Sequence, residues 1–145
     1  MARKVIYFTR TGTCKRIAQQ IAGRLSLEIV EIKDNHNWNG FIGYWTAGFY
    51  ASTQKEVEIS INGEMSNTDE FILVTPVWAG SIAPAVKAFL RKYPRNQVIL
   101  VVSSNGSRIS DRADFISVYD IPKSEKNEDA VLSDLVNQIK NRNQA

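Results

Sequence analysis

The chain has 145 residues, 43% hydrophobic and 23% charged, with a formal net charge of +3. That length and balance suit one globular domain over residues 1–145 and exclude a disordered or fibrous chain. A single cysteine, Cys14, and a single histidine, His36, exclude a disulfide scaffold and a zinc site built from the usual ligands.

Short apolar runs alternate with amphipathic runs, the pattern of βαβ units around a mainly parallel sheet. The first strand is expected at Lys4–Thr9. Its apolar run ends at Phe8, short of the ~7–15 residues of a secretory core, so the protein is expected to be cytoplasmic. A helix over Thr13–Leu25 follows, with Ile17, Ala18, Ile21, Ala22 and Leu25 on one stripe. The second strand is Ser26–Lys33. His36 falls in the polar turn Asn35–Asn39, where it is expected to be exposed, and Phe41–Ser52 reads as an aromatic helix. That patch is broken by Gly43 and Gly48 and falls well short of the ~18 apolar residues of a membrane span. Val57–Ile61 reads as a short extended piece before an Asn62–Gly63 turn.

The third strand is Phe71–Thr75, with Pro76 expected at or beyond its end. Pro84 suits the first turn of a helix whose Val86, Phe89, Leu90 and Tyr93 share a face. The fourth strand, Gln97–Ser104, holds the unbroken run Val98–Val102, as expected for a strand covered on both faces. The fifth is Phe115–Ile121. Only Asn105–Asp114 links it to the fourth, less than a usual crossover, so the helix there is expected to be short or missing. Asn127 is placed to cap a last helix, with Glu128 and Asp129 in its first turn and Leu132, Leu135, Val136 and Ile139 on its buried stripe. The basic excess lies in residues 1–50, with 7 basic against 3 acidic side chains, but no run of like charge marks a nucleic-acid partner.

In an open parallel sheet, ligands bind at the carboxyl ends of the strands. Strands one, three and four end in suggestive loops. Thr9, Arg10, Thr11, Gly12, Thr13 and Cys14 run straight into the first helix. Their hydroxyls and main-chain amides suit a phosphate, and a Thr-capped helix start is the alternative. Neither G-x-x-x-x-G-K-[ST] nor G-x-G-x-x-G is present, and Gln20 stands where a cysteine-phosphatase loop would carry Arg. An acidic cluster that would suit a metal-dependent phosphoacceptor is also missing from the end of strand one. Pro76, Val77, Trp78, Ala79 and Gly80 put an indole among small residues, either as a stacking surface for a planar ring or as a core Trp. Ser103, Ser104, Asn105, Gly106 and Ser107 are either turn formers or donors to a ligand's polar edge. Cys14 at a helix start would be a reactive thiol in an empty site, and a bound phosphate would quiet it.

Taken together, T-x-T-G-T after strand one, T-P-x-W-A-G after strand three and S-x-N-G-S after strand four resemble the flavodoxins. Residues Gly40–Phe49 also look like the glycine-aromatic helix of short bacterial members, and the likeness is carried by residues 4 to 107. The resemblance implies a flavodoxin-like, open, doubly wound α/β fold with a parallel five-stranded sheet of order 2-1-3-4-5. It implies FMN as the cofactor, its phosphate on Thr9, Arg10, Thr11, Gly12, Thr13 and Cys14. The isoalloxazine would lie between Pro76–Gly80 and Asn105–Ser107, with Trp78 stacked on it. The implied function is electron transfer to a redox partner protein. The alternatives are a nicotinamide-dependent quinone reductase and a flavin-free interaction module. Three features depart from the family: Cys14 stands in place of the usual Thr, no aromatic follows strand four, and the net charge is basic. The second stacking face is then either open or filled from elsewhere, by Tyr44 or Trp45.

Overall fold

The computed structural model describes residues 3–9, 11–34, 59–62, 70–78, 81–106, 108–109 and 111–143. The expected turn with His36, the aromatic helix Phe41–Ser52, and Gly63 lie outside them. The strands are β1 (Arg3–Tyr7), β2 (Glu28–Asp34), β3 (Ile59–Asn62), β4 (Glu70–Trp78), β5 (Ser81–Ile82), β6 (Val98–Ser104) and β7 (Ser117–Pro122). The helices are α1 (Thr13–Leu25), α2 (Pro84–Lys92) and α3 (Glu128–Asn143). Five strands pair in parallel in the order β2-β1-β4-β6-β7, which is the expected 2-1-3-4-5.

Two short strands enlarge that sheet beyond the expected five. β3 pairs antiparallel on the outer edge of β2, with Asn62 opposite Glu31, so Asn62 belongs to a strand rather than to a turn. β5 folds back on β4, pairing Val77 with Ile82 and Trp78 with Ser81.

Pro76 also differs from expectation. β4 does not stop before it but continues to Trp78, with Pro76 opposite Ser103 of β6. The physical cost of a proline falls on the other neighbour. Phe8 donates its N–H to the Val74 carbonyl at 3.1 Å. The next parallel ladder bond would run from residue 76 to the Phe8 carbonyl, and Pro76 has no N–H to give. The proline therefore ends the β1–β4 ladder while leaving β4–β6 intact, and β1 parts from the sheet at this level.

Alternating side chains build two cores. Ile6, Phe71, Leu73, Val98 and Leu100 face α2 with Val86 and Phe89. Val5, Ile72, Val74, Ile99 and Val101 face α1 and α3, where Ile17, Ile21, Leu132 and Leu135 close the layer. Both faces of β4 and β6 are covered, which explains their unbroken apolar runs. Phe71, Phe89 and Tyr93 form an aromatic group beneath α2, with Phe89 and Tyr93 stacked at 4.9 Å.

The link from β6 to β7 has no helix among its described residues. Arginines hold it instead. Arg95 makes a bidentate pair with Asp111 at 2.6 and 2.8 Å and lies 4.7 Å over the Phe115 ring. Arg112 makes a second bidentate pair with Asp120 of β7 at 2.6 and 3.0 Å. Ile109 is buried in the α2-side core. Asp114 turns the chain in the left-handed region at φ +71°.

Hydrogen bonds from Arg95, Arg112 and Arg16 hold the carboxyls of Asp111, Asp120 and Glu128, respectively, below the usual carboxylate range, outweighing the opposing effect of burial. Groups with depressed folded pKa stabilise the fold above their unfolded values, and that contribution is lost as pH falls through the folded ones. The urea midpoint is thus expected to drop as pH is lowered below about 4, the unfolded carboxylate range, with a shallower drop in Asp120→Asn. An equally steep drop in the variant would show that the Asp120 pairing contributes nothing.

Candidate functional site

β1 hands over to α1 through Thr9–Gly12. Gly12 is the residue capping α1, at φ +97°, ψ −10°. No side chain caps the helix, and its first turn holds no acidic residue, so the Thr-capped alternative does not describe this start. A Cβ on Gly12 would have nothing within 4 Å. Glycine is needed here for its backbone angle, because the left-handed region costs an L-residue ~1–2 kcal/mol. The Thr9 hydroxyl oxygen accepts the Gly12 N–H at 2.9 Å and braces the loop from inside. Its own proton stays available to donate outward. The Thr11 and Thr13 hydroxyls stand 3.4 Å apart.

A cavity of about 320 Å³ opens beside this loop, at the carboxyl ends of β1, β4 and β6. Thr9, Thr11, Thr13 and Cys14 line one wall, Pro76 and Val77 a second, and Ser103, Ser104 and Asn105 a third. Lys123, immediately after β7, completes the lining. The volume lies in the range of small-ligand sites, ~300–1,000 Å³. The donor set suits a phosphate: hydroxyls converge on the first amides of a helix that no side chain caps, and the helix dipole adds to them.

The residues singled out in sequence meet in part. Thr9, Thr11, Thr13, Cys14, Pro76, Val77 and Asn105 share the cavity. Gly12 shapes the loop from the cap position, and Gly106 lies against the segment after β7, where an added Cβ would stand 3.2 Å from Ser124 Oγ. Arg10, Ala79, Gly80 and Ser107 lie outside the described residues, as do the possible second stacking residues Tyr44 and Trp45. Trp78 is described only by its backbone, at the last paired position of the β4–β5 hairpin. The stretch expected as an open loop after strand three is thus a hairpin, with only residues 79–80 between its paired ends.

Ser103 and Ser104, which open the S-x-N-G-S loop, line the cavity as that loop's position leads one to expect, and Lys123 is the lining residue that no sequence motif marks. The carboxyl-end rule accounts for it: Ser104 is registered with Pro122, so Lys123 emerges level with Asn105.

Two other sequence readings change. Asn127 precedes α3 and its carbonyl accepts from Val131, but its Oδ1 is buried without a hydrogen-bond partner, so the side chain does not cap the helix. Cys14 is 2% exposed and packs among Ile17, Ile21 and Val74. Burial pushes its thiol up to about 12, so it is not a poised nucleophile. Its main-chain N–H is what it has to offer an anion. Among the described residues, no cluster of His, Cys, Asp and Glu could hold a metal ion, and no helix is long and apolar enough to cross a membrane.

No family model and no curated protein sequence matches the chain. Solved structures do. A flavoprotein from Lactobacillus acidophilus NCFM, crystallised in complex with FMN, superposes with a TM-score of 0.68 at 20% identity, covering 88% of this chain and 97% of its own. This chain has a flavodoxin-like fold. A candidate flavoprotein from Bacteroides eggerthii DSM 20697 superposes with a TM-score of 0.66 at 16% identity over 92% of this chain and 95% of its own. A second, from Bacteroides uniformis ATCC 8492, gives 0.62 at 18% identity over 90% and 97%. The flavodoxin-like order accounts for the cavity's position, since the strands flanking it end side by side.

The buried thiol yields a direct check. With a pKa near 12 rather than 9.0, the thiolate fraction at pH 8 is roughly a thousand-fold smaller than in the unfolded chain. Iodoacetamide labelling of Cys14, followed by mass spectrometry, is expected to be slower by at least that factor in the native protein than in urea. Native labelling within tenfold of the unfolded rate would contradict the packing described.

Proposed function

We propose that the protein binds FMN non-covalently in this cavity and uses it to pass electrons. The observation that carries the reading is the start of α1: a helix capped by Gly12 at φ +97° with no side-chain cap, bordered by the hydroxyls of Thr9, Thr11 and Thr13. A phosphate monoester dianion is the ligand group this arrangement suits best. The FMN complex of the Lactobacillus acidophilus flavoprotein, which shares the fold, supports the same choice.

In this reading the phosphate is held by Thr9, Arg10, Thr11, Gly12, Thr13 and Cys14, the last through its main-chain N–H. Ser103, Ser104 and Asn105 face the ligand's polar groups, and Pro76 and Val77 exclude water from its apolar side. Trp78, Ala79 and Gly80 meet the ring together with Gly106 and Ser107, and the Trp78 indole stacks on it. When bound, FMN supplies the redox chemistry, and the chain supplies binding, orientation and a pocket of restricted water. The counterpart is a redox protein or a small quinone or nicotinamide substrate, in the cytoplasm, with neither nucleic acid nor membrane involved.

Titration of the purified protein with FMN is expected to quench flavin fluorescence saturably and to leave the protein yellow. Gly12→Val is expected to weaken binding about 5- to 30-fold, the equivalent of the ~1–2 kcal/mol cost of left-handed backbone. Trp78→Ala removes a stacking contact worth ~1–3 kcal/mol. It is expected to weaken FMN while leaving competition by inorganic phosphate unchanged. Full FMN affinity in Trp78→Ala would move the ring elsewhere, and absence of any FMN binding would sink the reading. Oxidation of a nicotinamide dinucleotide by the flavin-loaded protein separates a reductase, which turns over, from a carrier, which does not.

A further inference from the structure

Lys123 is the one cation among the described lining residues of the larger cavity, on a wall otherwise made of hydroxyls, amides and apolar groups. Its position follows from register. β7 runs parallel to β6 with Ser103 opposite Ile121 and Ser104 opposite Pro122. The next residue, Lys123, opens a short 3-10 turn, Lys123–Glu125. This turn is held from two sides. Arg108 reaches Glu125 at 2.7 Å and Asp120 at 3.2 Å, tying the turn to β7 and to the β6–β7 link. The chain then enters α3, where Glu128 makes a bidentate pair with Arg16 of α1 at 2.6 Å on both bonds. Gly106 lies close against Ser124, leaving no room for a larger residue without displacement. Lys123 also borders a smaller cavity of about 160 Å³ that shares Thr13 and Ser103 with the first. Lys123 therefore lines both cavities together with Thr13, the first residue of α1.

We propose that Lys123 is a cationic contact to the ligand's phosphate from the β7 side of the site, and that it adds to the site's selectivity for a phosphorylated flavin over its dephosphorylated form. The inference rests on the FMN reading above. A phosphate monoester carries a charge of about −1.5 to −2 at pH 7. A helix N-terminus offers the equivalent of only about half a positive charge, and hydroxyls offer dipoles. With Arg10 of the loop bringing one full charge, a dianion is still not fully balanced, and an ammonium at the same site adds a further counter-charge. It acts on the phosphate and does nothing for an uncharged ribityl end.

The test compares FMN with riboflavin by fluorescence titration on the full chain. In Lys123→Met, FMN is expected to bind about fivefold more weakly, the scale of an exposed ion pair, while riboflavin changes less than twofold. Lys123→Arg is expected to restore most of the loss. Lys126→Met serves as the control for net charge, because Lys126 borders only the smaller cavity; its FMN-to-riboflavin ratio is expected to stay at the wild-type value. Between about 0.1 and 1 M salt, over which the screening length falls from ~10 to ~3 Å, wild-type affinity for FMN is expected to decline more steeply than that of Lys123→Met. An unchanged FMN-to-riboflavin ratio in Lys123→Met, or an equal loss in Lys126→Met, would overturn the inference while the flavin reading stands. If the wild-type chain bound neither flavin, the flavin reading itself would fall.

Discussion

The site depends on one geometric constraint, the level at which β1 leaves the sheet. Tyr7 is registered with Val74, Val74 with Val101 and Val101 with Tyr119, so four strands reach the same height together. At the next step Pro76 denies Phe8 its ladder partner, and β1 is released while β4 and β6 run on. The released chain must reverse into α1 within a few residues, which the left-handed Gly12 makes possible. Backbone chemistry at two positions, a missing N–H and a missing Cβ, thus opens the gap that becomes the cavity.

The second feature that distinguishes this fold is the link between β6 and β7, which has no helix among its described residues. A crossover helix would ordinarily cover the sheet and set the position of the next strand. Here three arginines take over that task. Arg95, just ahead of β6, holds the link through Asp111 and Phe115, Arg112 fixes it to Asp120, and Arg108 joins Asp120 to Glu125. Asp120 is the shared acceptor, and its side chain is only 12% exposed, so these pairs are screened less than a surface bridge. The outcome is a β7 whose exit is held against the wall of the site. The basic composition thus contributes to the architecture, and part of it is consumed in holding the link.

Much of the architecture was legible from sequence because it rests on local periodicity. Residues 13–25 repeat apolar groups at helical spacing, and the helix occupies that span. Val98–Val102 reads as a doubly covered strand because no polar residue interrupts it, and burial on both faces follows. The glycine at the start of α1 was legible because a left-handed turn ahead of a helix favours glycine, and Gly12 takes φ +97°. Less legible were effects set by partners distant in sequence. A proline in an apolar run signals the end of a strand, yet its effect depends on which neighbour faces its missing N–H, and that is a matter of register. The thiol of Cys14 looked exposed and reactive by position, and only the packing of Ile17, Ile21 and Val74 around it raises its pKa.

The sequence by itself determined the strand and helix succession and the chemistry of the loop before α1, since both follow from interactions within a few residues. The tertiary structure alone decided that Lys123 lines one cavity with Thr13, although it is more than a hundred residues away along the chain. It also decided that Trp78 belongs to a hairpin and that ion pairs hold the β6–β7 link. These features depend on which strands lie side by side and at what height. That register is fixed by the packing of two whole cores and cannot be read from any one segment.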